Sequence, residues 1–180
     1  MDYLVERIEG HTAILTMNNP PANTWTAQSL QALKAKVLEL NANKDIYALV
    51  LTGEGNKFFS AGADLKLFSD GDKGNAATMA KHFGEAFETL TAFRGVSIAA
   101  INGYAMGGGS GLAISCDLTL AGESARFGYP EVKHGIVAAI VMAGLVEHVG
   151  RKAAFELVAT GRTVAAAEAV QLGLANRVVA

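Results

Sequence analysis

Two short runs of strand-like composition, residues 3–8 and 12–17, are separated by Gly10 and His11, and this pattern predicts a hairpin. "NNPPAN", Asn18 to Asn23, then reads as a loop, because Pro20 and Pro21 forbid regular pairing. A helix is expected from about Thr26, a suitable cap, with Leu30, Leu33, Val37 and Leu40 recurring at helical spacing. Ile46 to Leu51 is continuously apolar and stops at Thr52-Gly53, as a strand covered on both faces would. Residues 54–63 read as a loop. From about Asn75 to Arg94 a second helix carries Met79, Phe83, Phe87 and Leu90 on one face. Val96 to Ile101 repeats the buried-strand pattern. After it come a glycine-rich stretch, a short helix from Gly109 to Ser115 and a strand from Leu118 to Ala121. The remainder reads as helical from about 137 to 172, with breaks at Gly150 and Gly161, and a last strand runs from Asn176 to Val179.

Strands alternating with helices argue an α/β fold. No internal linker or low-complexity segment divides the 180 residues, so one domain over 1–180 is expected. Apolar residues make up 51% and charged residues 18%, which suits a globular protein and not a disordered one. The net charge of −2, without a basic run, leaves no footprint for nucleic acid. Cys116 is the single cysteine, so no internal disulfide can form; a buried core position in a reducing compartment is expected. Asp2, Glu6, Arg7 and Glu9 crowd the first ten residues, which therefore do not read as a signal peptide. The longest apolar run, Ile136 to Val146, is too short to span a bilayer and reads as a buried helix. These features point to the cytoplasm. The chain ends on a strand without a terminal cap, so further chain is expected beyond Ala180.

Two stretches keep unusually bare backbone: "SAGADLKLF", Ser60 to Phe68, and "NGYAMGGGSGLAISCD", Asn102 to Asp117. No lysine follows Gly107 to Gly109, which excludes a Walker A loop. Leu112 breaks both the Rossmann glycine pattern counted from Gly107 and the nucleophile elbow counted from Gly108 through Ser110. What survives is strand, glycines, helix N-terminus. There the first N–H groups lack intrahelical partners and the macrodipole is positive. A ligand oxygen could reach such an N–H only past residues without side chains, and the loop at Ala61-Gly62-Ala63 could supply a second donor. Two donors on one oxygen make an oxyanion hole. Tight helix–strand packing would use the same glycines, and spacing alone does not choose between the two.

"FFSAGADLKLF", "AAINGYAMGGGSGLAISCDL" and "ARFGYPEVKHGI", in this order, resemble the enoyl-CoA hydratase/isomerase, or crotonase, superfamily, and "ATGRTVAAAEAVQLGLANRVV" extends the likeness over essentially the whole chain. The resemblance implies a crotonase-like spiral of repeated ββα units acting on acyl-CoA thioesters. It needs no cofactor beyond the coenzyme A of the substrate, no metal, no membrane and no nucleic acid. It assigns the hole donors to the backbone N–H groups of Ala63 and Gly108, and places Ala22, Ala61, Asp64 and Leu65 at the CoA site. Gly107, Gly111 and Pro130 are expected to join them in binding the substrate. Glu131 in "GYPEV" matches a catalytic glutamate, although an isolated Glu is usually a solvated surface group. Tyr104 and Met106 are expected either to line the acyl pocket or to pack in the core. The family's usual "GGGCELA" reads "GGGSGLA" here, so Gly111 stands where a second glutamate is expected, which puts a two-glutamate hydration mechanism in doubt. The family's C-terminal helical segment, which closes the site and builds trimers or hexamers, is absent from these residues.

Four readings are compatible with this pattern. Hydration of a 2-enoyl-CoA leads, followed by isomerisation of an enoyl-CoA by a single glutamate. A non-catalytic acyl-CoA-binding paralogue would explain the missing carboxylate. A Clp-type serine peptidase is the alternative of another class: Ser110 sits at a helix start with His134 24 residues on, but no third partner is identifiable.

Overall fold

A computed structural model describes residues 3–64 and 73–180. Strands β1 (Leu4–Glu9) and β2 (Thr12–Met17) form the expected antiparallel hairpin, in which Glu9 pairs with Thr12. Helix α1 (Ala27–Ala42) starts where Thr26 predicts. Thr26 Oγ1 accepts from Ser29 N at 3.2 Å and Ser29 Oγ accepts from Thr26 N at 2.9 Å, a reciprocal cap that satisfies two otherwise unpaired donors.

Three units follow, each sending one strand to each of two sheets. In the first, β3 (Ala48–Gly53) precedes β4 (Phe58–Ser60) and α2 (Lys73–Thr91). The second consists of β5 (Val96–Ile101), β6 (Tyr104–Met106) and α3 (Gly108–Ile114). The third has β7 (Leu118–Gly122), β8 (Arg126–Gly128), a 3-10 turn (Pro130–His134) and α4 (Ala139–Thr160). β9 (Thr163–Ala165), α5 (Ala166–Leu172) and β10 (Arg177–Val179) complete the chain. The large sheet runs β1-β2-β3-β5-β7-β10, parallel from β2 onward, and the small sheet runs β4-β6-β8-β9. This is the expected α/β spiral of ββα units.

The pattern along the chain missed β4, β6, β8 and β9. Each has only three residues, too few to show a period. β3 alternates buried Leu49, Leu51 and Gly53 with half-buried neighbours, so one of its faces is covered more completely than the other. The run Ile136 to Val146 is not a buried helix. Ile136 to Ala138 precede α4, and only Ala138, Val141 and Leu145 of the run are buried, whereas Val137 is 73% exposed. α4 loses helical geometry at Gly150, and Gly161 caps it in the left-handed region, at the two breaks read from the sequence. Cys116 is buried, and burial pushes its thiol up to about 12. Among the described residues no helix is long and apolar enough to cross a membrane.

The 18–25 loop is held against β4 by Asn23. This side chain is almost wholly buried, at a positive φ of 49°, and its amide donates to Glu54 O at 3.1 Å and Phe58 O at 3.0 Å. Its Oδ1 accepts from Asn19 N at 3.2 Å. Asn23→Ala orphans these groups and keeps a β-carbon in a left-handed conformation. It should lower the unfolding free energy by about 2 kcal/mol, read as a lower urea midpoint. An unchanged midpoint would mean that water serves those carbonyls equally well.

Candidate active site

Two loops leave the ends of neighbouring strands and meet. β4 leads into Ala61-Gly62-Ala63, and β6 leads through Gly107 into α3. Gly62 (φ +85°) and Gly107 (φ +52°) both occupy the left-handed region, which glycine adopts without strain. The contact also leaves no room for side chains. A Cβ on Gly62 would lie 2.8 Å from Met106 O and 3.1 Å from Gly108 N, and one on Gly107 would lie 2.7 Å from Glu131 Oε1. One on Gly108 would strike the Phe83 ring at 2.5 Å.

The bare segments end in free donors. The Gly107 N–H is used by Gly128 O at 2.8 Å, and Gly111 N closes the first turn of α3 onto Gly107 O at 3.0 Å. Trp25 N donates to Gly62 O and Asp64 N to Trp25 O, each at 2.9 Å, which fixes the strand-like path through Ala63. Among the described residues neither Ala63 N–H nor Gly108 N–H has a hydrogen-bond partner.

Both positions line a cavity of about 460 Å³. Ala61, Met106, Gly107, Pro130 and Glu131 also reach it, as expected from the sequence. So do residues that the sequence reading did not assign: Met79 and Phe83 from α2, His134 from the 3-10 turn, and Ile136 to Val141 at the start of α4. The amphipathic face of α2 carried the signal for Met79 and Phe83, but that face could equally have been plain core.

Other sequence-assigned positions stand elsewhere. Ala22 lies behind the loop and accepts from Ala61 N at 2.9 Å. Asp64 follows Ala63 but does not line the cavity. Tyr104 is at the far end of β6, packed against Phe58 with ring centroids 5.6 Å apart, so it forms no part of the pocket. Gly111 is also outside it. A Cβ there would meet the Phe87 ring at 2.5 Å and Val141 Cγ1 at 2.8 Å, so the space of an absent side chain is already filled. Leu65 lies outside the described residues.

Among the described residues Glu131 is the one carboxylate in the cavity lining. Pro130 opens the 3-10 turn and Gly135, left-handed, closes it, so the turn projects Glu131 and His134 into the same space. Glu131 Oε2 is buried without a hydrogen-bond partner. Desolvation raises the carboxyl above its ordinary value of 4.5, opposed in part by its own backbone N–H and by the nearby His134. Ser110 faces away from this space. Its hydroxyl is wholly buried and lies 2.9 Å from Tyr129 OH, so it has no imidazole to activate it and the peptidase reading fails. No group of three His, Cys, Asp or Glu among the described residues could hold a metal ion.

The family profile described as enoyl-CoA hydratase/isomerase matches residues 7–180, and the chain belongs to that family. Pseudomonas aeruginosa DspI has the same fold at a TM-score of 0.95 and 48% identity, over 99% of this chain and 69% of that one. An enoyl-CoA hydratase crystal structure from Bacillus anthracis aligns with a TM-score of 0.94 at 30% identity, covering 99% and 70%. A Mycobacterium tuberculosis protein named probable enoyl-CoA hydratase echA8 is 40% identical over 180 residues, 98% of this chain and 68% of that protein.

The buried carboxyl gives folding a pH dependence of definite sign. Between its ordinary value and its raised one, Glu131 binds more protons in the fold than in the unfolded chain. Its contribution is therefore complete below the ordinary value and declines as pH rises through the raised one. Glu131→Gln, uncharged throughout, should lack this decline. From about pH 4 to about pH 8 the wild-type urea midpoint should fall relative to the variant. Parallel curves would mean that the carboxyl is solvated.

Proposed function

We propose that the chain is an acyl-CoA thioester enzyme, foremost an enoyl-CoA hydratase. The thioester carbonyl oxygen sits between the N–H groups of Ala63 and Gly108, and Glu131 moves the proton. The observation that carries this reading is the convergence of two unpaired main-chain donors and one buried carboxyl on a single apolar cavity. Family membership supports it.

The chemistry follows from charge. Attack on the β-carbon of a 2-enoyl thioester pushes electrons onto the carbonyl oxygen. Two preorganised N–H donors lower the energy of that enolate without surrendering a proton, and one such donor is worth roughly a hundred- to a thousandfold in rate. Glu131 as carboxylate takes a proton from water while the hydroxyl oxygen bonds to the β-carbon. The same carboxyl then returns the proton to the α-carbon, the enolate collapses, and the sum is addition of one water. A raised carboxyl suits both halves of this cycle. Coenzyme A enters as part of the substrate, with Ala22, Ala61, Asp64 and Leu65 proposed to guide it.

A second reading is favoured by one observation: Gly111 supplies no second carboxylate, and Phe87 and Val141 occupy its side-chain space. A lone carboxyl can carry a proton between the α- and γ-carbons, which is isomerisation of a 3-enoyl-CoA. We also propose that longer forms carrying the relatives' remaining length form trimers or hexamers.

Two measurements test the reading. On a panel of 2-enoyl- and 3-enoyl-CoA thioesters, hydration should exceed isomerisation; the reverse order would make the second reading the primary one. Glu131→Gln should lower kcat by about a hundred- to ten-thousandfold and leave acyl-CoA binding intact. Retention of more than about a tenth of the rate would remove Glu131 from the proton path.

A further inference from the structure

The apolar cavity ends against side chains of α2 and α4, and position 111 decides what backs them. Phe83 and Phe87 lie one helical turn apart on α2, with ring centroids at 5.7 Å and planes inclined by 43°. Phe83 faces the cavity that holds Glu131, whereas Phe87 faces a second cavity of about 320 Å³. Ile140 and Val141, on α4, line both. Gly111 lines the second cavity and not the first. Because it has no side chain, the Phe87 ring and Val141 Cγ1 come in to where its Cβ would be, at 2.5 and 2.8 Å. Ile140 and Val141 thus separate the two cavities, and Phe87 backs Val141 from the side of the second. Beyond this partition, Ile114 continues the apolar lining, and the exposed residues Asp117, Glu147 and His148 rim the second cavity, which opens at the surface.

We propose that Phe87, packed over Gly111 and braced by Phe83, Ile140 and Val141, is the residue that limits the acyl-chain length of the substrate. This inference rests on the acyl-CoA reading of the first cavity. A chain anchored by its thioester at Ala63 and Gly108 runs along the apolar lining and stops against the partition. Removing the Phe87 ring takes away the backing of Val141 over Gly111, so the wall yields and a longer chain passes between α2 and α4 toward the surface.

Saturated acyl-CoA thioesters of about four to about sixteen acyl carbons, titrated by calorimetry, read this without requiring turnover. Each methylene that is newly buried is worth about fourfold in affinity. Wild type should gain affinity with length and then level off. In Phe87→Ala the levelling point should move at least two methylenes outward, about tenfold or more in affinity for the longer chains. Val141→Ala opens the same partition from α4 and is read in the same way if loss of the Phe87 ring prevents folding. A wild-type profile with no break, or an unmoved break in a folded variant, overturns the proposal. The 2-enoyl-CoA turnover panel, run in parallel, separates the two readings. A shifted break without turnover sinks the hydratase reading and upholds the wall. Turnover with an unmoved break does the reverse, and absence of any acyl-CoA binding sinks both.

Discussion

Everything at the candidate site depends on two pieces of backbone touching without side chains between them. The Gly62 loop and the Gly107–Gly109 entry to α3 approach so closely that a single β-carbon at Gly62 would intrude on Met106 O and Gly108 N. That approach leaves the N–H groups of Ala63 and Gly108 unpaired at the cavity wall. Unpaired main-chain donors away from water are costly in a finished fold. Here they are tolerated because the space in front of them is open to an incoming acceptor.

The small sheet makes that contact possible. β4, β6 and β8 are parallel neighbours, and their C-terminal ends deliver the Ala61–Ala63 loop, the start of α3 and the turn bearing Glu131 to one place. Tyr129 and Ser110 tie the last two together through a buried pair of hydroxyls. Apart from His134 the side chains described around Glu131 in the first cavity are apolar, so the same desolvation that raises its carboxyl would strengthen the pull of the main-chain donors on a developing charge. The carboxyl and the donors are therefore tuned by one property, the apolar lining they share.

The large elements and the motif residues were readable from the chain because each left a local mark. Leu30, Leu33, Val37 and Leu40 repeat with the helical period, Thr26 caps, and the bare "AGA" and "GGG" segments stand out by composition. The three-residue strands of the small sheet left none, since so short a strand has no period and is held by its neighbours. Tyr104 illustrates the consequence. Its place next to the glycines suggested the pocket, but its register opposite Phe58 sends it to the other end of the sheet. Likewise Gly111 shows in the sequence only that a glutamate is missing. That Phe87, 24 residues earlier, fills the gap depends on how α2 packs against α3 and α4, which no local pattern encodes.

The main-chain nature of the proposed donors has a consequence for how such a protein changes over generations. A point mutation replaces a side chain, yet an N–H survives every replacement except proline. The electrophilic half of the site is thus buffered against genetic drift, provided the glycines that grant access persist. The carboxyl at 131 and the aromatic partition at 87 have no such protection. Divergence among descendants of this chain should therefore accumulate in which molecules are accepted and which bond is remade, while the means of polarising the thioester stays the same.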